Sequence, residues 1–170
     1  MGFRNLLYYA RNVVRDVAPP VVFRRRLEGI LRRIDEFDAT EISDRVAYYN
    51  KLTDVVEIGD ETPKISEIST SRSFYYYDLK EHARFFPIDL RLRYEFGDVT
   101  SVPPRPTIVK SRPIRGPNAD AVVMKLAKLR HFRFPSDDVV FEDKKPIAVW
   151  RGGAHNPKRV ALVRRMHGHP

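Results

Sequence analysis

The stretch Trp150-Arg151-Gly152-Gly153-Ala154-His155-Asn156-Pro157-Lys158-Arg159 gathers the residue types suited to holding an anion. Glycines let a backbone approach a ligand closely, and the first turn of a helix offers N–H groups without intrahelical partners. Lys158 and Arg159 fall in the first turn of a helix opened by Asn156-Pro157, where the macrodipole disfavours cations by roughly 0.3–1 kcal/mol each. A bound phosphate reverses that, since a charge-assisted hydrogen bond contributes roughly 1.5–3 kcal/mol. The alternative is an ordinary glycine turn with solvated cations. Neither a Gly-Lys-Ser/Thr phosphate loop nor the third glycine of the dinucleotide fingerprint is present.

A second set of residues could carry acid–base chemistry. Asp98 follows Gly97 after an alternating segment, and a carboxylate on a loop leaving a strand end is well placed to act as a general base. Gly-Asp is also common turn chemistry. Lys110 and Arg112 flank Ser111 in a polar loop, open to an anionic acceptor, to donor phosphates, or to solvent alone. His155 lies in the glycine junction within reach of a ligand, whereas His82 and His131 sit in apolar patterns and read as structural. His167-Gly168-His169 reads as a frayed terminus before it reads as a metal pair. The sequence has no Asp-x-Asp, and Glu36-Phe37-Asp38 is better explained by helix capping.

The aromatic-Arg-Gly-small segment ending in Pro157-Lys158-Arg159 resembles the donor motif of glycosyltransferase family 90. The segment from Arg72 to Phe86, the stretch from Gly97 to Ile114 and Leu129-Arg130-His131-Phe132 are similar to the lipopolysaccharide-modifying branch of that family, in one register along the chain. The resemblance implies an inverting, metal-independent enzyme that needs no cofactor. It would take a UDP-sugar donor and a glycan or lipid-linked acceptor of lipopolysaccharide-core or capsule type. It places donor contacts on Gly153 and Arg159, with Arg151 and Gly152 of the same stretch as further donor-binding candidates, and the catalytic base on Asp98, in an Asp-x-x-x-Val-Pro context running to Pro103. Gly153 stands where eukaryotic relatives carry serine, so a hydroxyl contact is missing. Lys110, Arg112 and His155 are further substrate-binding candidates.

The elements that must position these residues follow from periodicity. Residues 3–17 read as a basic helix stopped by Pro19-Pro20, and Phe23, Leu27, Ile30, Leu31 and Ile34 recur at helical spacing in a second one. Asp38 followed by Glu41 opens a third, with Ile42, Val46, Tyr49 and Leu52 as its stripe. Residues 53–73 read as a loop with at most a short strand, and a short helix is expected around Leu79–Phe85. Alternation over residues 90–95 predicts a half-buried strand, Thr107–Val109 a short β-branched one, and Ile147–Trp150 a buried one. Ala121–Leu129 is ambiguous between helix and strand. Helices first, then strands with helices, argue for an α/β layer structure.

The resemblance refines this to the Rossmann-like N-terminal part of a GT-B enzyme, preceded by basic amphipathic helices. The boundaries expected are residues 1–36 for those helices, 37–145 for an acceptor-side α/β domain, and 146–170 for the start of a donor-binding domain. The chain reads as an N-terminal half that transfers sugar poorly or not at all by itself.

Charge is distributed unevenly. Residues 1–34 carry eight basic and two acidic side chains, residues 35–100 eight and fifteen, and residues 101–170 fifteen and five. A negative middle third is no nucleic-acid coat, so no nucleic-acid partner is expected. The basic helices suit contact with an anionic membrane surface, or merely solubilise two helices packed on the core. With no cysteine, and no apolar run of the roughly 18–20 residues needed to span a bilayer, the expected location is the cytoplasm, with peripheral attachment to the inner membrane as an extension. The rival from another class is a basic module that binds nucleic acid or membrane without catalysis.

Overall fold

A computed structural model describes residues 3–68, 73–131, 136–150 and 152–168. The chain divides into two compact units, Met1–Arg133 and Phe134–Pro170, each taken by itself below.

The first unit opens with three helices: α1 (Phe3–Val17), α2 (Pro20–Arg32) and α3 (Ala39–Tyr49). Pro20 takes the first helical position of α2, where its missing N–H costs nothing, so one proline of the pair starts a helix while the other separates it from α1. The Asp38 carboxylate accepts from the Glu41 amide at 2.9 Å and caps α3 as its sequence position requires. Neither α2 nor α3 buries a residue.

Helix α1 is turned inside out. Tyr8, Asn12 and Arg15, spaced along one face, point to the body of the unit: the Tyr8 hydroxyl donates to Asp78, and Arg15 pairs with Glu81 at 3.3 Å. Leu6, Val13 and Val17 on the opposite face are exposed.

The expected helix near Leu79–Phe85 is α4 (Phe74–Ala83), which begins earlier. The Ser73 hydroxyl accepts from the Tyr75 amide at 3.3 Å, and that cap draws the tyrosine cluster into the helix despite its strand-forming preference. Tyr76, Leu79 and Ala83 then form the main core with Ile65, Ile68 and Leu126. The loop over residues 53–68 therefore contributes to the core through a 3₁₀ turn at Ile65–Glu67, and Lys64 makes an antiparallel bridge with Arg91.

The sheet has three parallel strands in the order β1 (Tyr94–Glu95), β2 (Thr107–Val109) and β3 (Ala121–Val123). Tyr94 faces Ile108, and Thr107, Ile108 and Val109 face Ala121, Val122 and Val123. Of the alternating run at 90–95 only the last two residues pair as a strand, and the ambiguous Ala121–Leu129 divides into β3, a loop, and the single turn α5 (Lys128–His131). One face of the sheet lies against α4, with Phe96 stacked on Tyr75 at 5.6 Å between ring centres. On the other face Val99, Val109 and Ala121 make a second small core. This is an α/β arrangement, although proline-rich loops connect the strands where a Rossmann unit has helices.

In the second unit α6 (Pro157–Met166) starts as its sequence predicts, with the Asn156 side chain accepting from the Arg159 amide at 3.0 Å and Pro157 in the first turn. The strand expected at Ile147–Trp150 is not formed. Those residues take no regular secondary structure and have no ladder partner, and Ile147 and Val149 are exposed. An apolar run of this kind becomes a buried strand only between neighbours that complete its hydrogen bonds, and among the described residues it has none. Among the described residues no helix is long and apolar enough to cross a membrane.

Candidate active site

Parallel α/β sheets place ligands outside the carboxyl ends of their strands, because the loops leaving those ends converge there. Here that edge carries Asp98, Lys110 and Lys125, from the loops after β1, β2 and β3 respectively. Gly97 turns the chain after β1 at φ +107°, a conformation that side chains rarely adopt, and so directs Asp98 across the edge.

Lys110, one residue past β2, donates from Nζ to Asp98 Oδ1. Its side chain is only 14% accessible whereas that of Asp98 is 81% accessible, so the lysine is the fixed partner and the carboxylate the one presented to solvent. The hydrogen bond and the charge of Lys110 hold the Asp98 carboxyl below the usual carboxylate range, with Arg130 and His131 adding to the effect. Asp98 is therefore ionised at neutral pH and able to accept a proton.

His131 Nε2 lies 3.5 Å from Lys110 Nζ on the same lip, and the residue is exposed. Its apolar surroundings in sequence suggested a structural role, but α5 ends there and turns the ring toward the ion pair. His82, also exposed, lies on α4 with Nε2 3.2 Å from Lys128 Nζ, and loss of solvation followed by that cation lowers its pKa.

Arg112 anchors the wall beside this edge. Its guanidinium donates to the carbonyls of Tyr48, Tyr49 (3.3 Å) and Ala121 (3.4 Å) and lies 5.1 Å over the Tyr48 ring. It thereby ties the last turn of α3 to β3, a cation at the negative end of a helix dipole. The Ser111 hydroxyl donates to Val99 O at 3.2 Å and joins the loops after β1 and β2. Two clefts of about 310 and 330 Å³ open here and share Tyr48, Lys110 and Val123. Lys51 and Asn118 line the first of them, and no sequence pattern singled them out. Lys51 follows the end of α3 and Asn118 lies in a Gly-Pro-Asn turn before β3; the hold of Arg112 on both α3 and β3 keeps these two segments side by side.

The glycine junction belongs to the second unit. Arg151 lies outside the described residues. Arg159 folds back so that Nη1 donates to Gly153 O at 3.3 Å, and the His155 ring occupies the space a Cβ on Gly153 would need. Gly152, Gly153, His155 and Arg159 thus come together as one exposed turn, and no described residue of this unit is buried. Among the described residues no cluster of three His, Asp or Glu side chains could hold a metal ion.

No protein-family profile matches the chain, and no solved structure does. Over 172 aligned positions the chain is 35% identical to O-glucosyltransferase LpsA of Dichelobacter nodosus, covering 99% of this chain and 54% of that protein. The chain spans about half the length of the curated relative it matches. What it is similar to, along nearly all of its residues, is part of a protein named as an O-glucosyltransferase.

Proposed function

We propose that this chain is the acceptor side, and the beginning of the donor side, of a family 90 glycosyltransferase of GT-B architecture. It transfers a sugar from a UDP-sugar to a glycan or lipid-linked acceptor of lipopolysaccharide-core or capsule type, with inversion. The observation that carries this reading is the Asp98–Lys110 pair at the carboxyl edge of a parallel sheet. The similarity to a protein named as an O-glucosyltransferase supports it.

In this reading the acceptor hydroxyl gives its proton to Asp98 while its oxygen bonds the anomeric carbon. The bond from that carbon to the phosphate oxygen breaks, and UDP leaves with the electron pair. Base assistance of this kind contributes about 10²–10⁴-fold. Lys110 keeps the carboxylate charged until the hydroxyl arrives. Arg151, Gly152, Gly153 and Arg159 form the donor diphosphate site, with His155 beside it, and Arg159 exchanges its bond to the Gly153 carbonyl for one to phosphate. A phosphate oxygen is the stronger acceptor, because it is charged. Cations and the N-terminus of α6 replace a metal ion, in keeping with the lack of any Asp-x-Asp in the sequence.

The exposed apolar face of α1, beside arginine-rich α2, supports peripheral contact with the cytoplasmic side of an anionic membrane. The whole reading is tested by incubating the natural polypeptide that carries this chain with a panel of UDP-sugars and measuring free UDP. Saturable UDP binding that is lost in Arg159→Ala supports it; UDP binding unchanged by that substitution contradicts it.

A further inference from the structure

The first cleft described above carries more positive charge than the ion pair at its edge uses. Lys110 is neutralised by Asp98, but Lys51 and Arg112 have no carboxylate within ion-pair distance among the described residues. Lys51 Nζ donates to Asn118 Oδ1 at 3.1 Å, and Arg112 is bonded to carbonyl oxygens, all neutral acceptors. The orientation of Asn118 is fixed, because its Nδ2 donates to Pro113 O at 2.7 Å and the residue is buried. Asn118 thus holds the Lys51 ammonium over the cleft. The exposed ring of Tyr48 and the side chain of Ile114 supply apolar walls. Two uncompensated cations, a positioned amide, a hydroxyl on Ser111 and an aromatic face are what an acidic saccharide needs: charge for the acid, a flat surface for the ring. The volume is at the lower end of small-molecule sites.

We infer that this cleft holds a carboxylate or phosphate borne by the acceptor saccharide, close to the hydroxyl that Asp98 deprotonates. The inference rests on the sugar-transfer reading, and geometry decides between acceptor and donor. In an inverting displacement the base and the attacking hydroxyl lie on one face of the anomeric carbon and the departing diphosphate on the other. Cations that share Lys110 with the base therefore stand on the acceptor's side. Lys51 and Arg112 select an acidic acceptor over a neutral one, and Lys110 links that selection to the base.

Isothermal titration of the natural polypeptide that carries this chain with methyl glucuronide, glucose 6-phosphate, glucose and inorganic phosphate tests this. The acidic saccharides should bind about tenfold or more tightly than glucose and than inorganic phosphate, the better of the two naming the acid. Lys51→Gln, at an exposed position, should remove about tenfold of that preference. Equal binding of glucose and both acidic saccharides, or no effect of Lys51→Gln, overturns the inference. So does inorganic phosphate binding as tightly as glucose 6-phosphate, which would make the cleft a free-anion site. Failure of the sugar-transfer reading shows separately, as no UDP released from any UDP-sugar whatever the cleft binds.

Discussion

Lys110 and Asp98 meet across the carboxyl ends of two adjacent parallel strands, the lysine largely enclosed and the carboxylate facing solvent. The pairing of Tyr94 with Ile108 sets this meeting, because it brings the residues just past β1 and β2 to the same edge. A shift of one strand by two residues would carry Asp98 about 6–7 Å along the sheet and separate the pair.

Removing that lysine should move the pH dependence of transfer. Lys110 lowers the Asp98 pKa by a hydrogen bond first and by its charge second, so Lys110→Gln raises it. A base with a higher pKa is protonated sooner on acidification. The acid limb of the kcat/KM profile should therefore lie at higher pH in Lys110→Gln than in the wild type, and coincident limbs would detach Asp98 from the rate.

The buried carboxylate of Asp78 joins three elements of the first unit. It accepts from the Tyr8 hydroxyl at 2.7 Å and from the Lys128 amide at 2.9 Å, and so ties α1 and α5 to α4. Burial raises its pKa, and these hydrogen bonds oppose the rise. Tyr8→Phe leaves one buried oxygen short of a donor, at a cost of about 2 kcal/mol, which corresponds to a fall in Tm of about 6 °C in a thermal melt followed by circular dichroism.

Asn156 gives α6 its start. Asn156→Ala removes the acceptor for the Arg159 amide and should destabilise the helix by about 1 kcal/mol. Hydrogen exchange at Arg159 and Val160 should speed up about fivefold, with amides in the β2–β3 pair unaffected.

The outward apolar face of α1 predicts a loss on polar substitution. Leu6→Ser with Val13→Ser should weaken co-sedimentation with phosphatidylglycerol vesicles severalfold. The same pair should leave Tm nearly unchanged, because neither side chain is buried.

Several elements were legible because a local rule governs them. Asp38 and Asn156 cap helices at the positions their spacing indicates, and Thr107–Val109 is a strand flanked by prolines. The start of α4 was not legible, because Phe74, Tyr75, Tyr76 and Tyr77 favour strands and only the Ser73 cap and packing on Phe96 override that. Ile147–Trp150 reads as a strand by composition, yet a strand requires partners that no local pattern supplies. Asp98, Lys110 and Arg112 stood out as residues, but their relations did not. The ion pair, the hold of Arg112 on α3 and the approach of Lys51 to Asn118 depend on contacts more than ten residues apart in sequence.

The role of Asp98 is tested most directly by the steady-state rate of sugar transfer in Asp98→Asn, an isosteric change that removes the base while keeping an acceptor for Lys110. In the natural polypeptide carrying this chain, kcat should fall about 10²–10⁴-fold, with UDP affinity unchanged. A variant that transfers sugar at the wild-type rate would contradict Asp98 as the base.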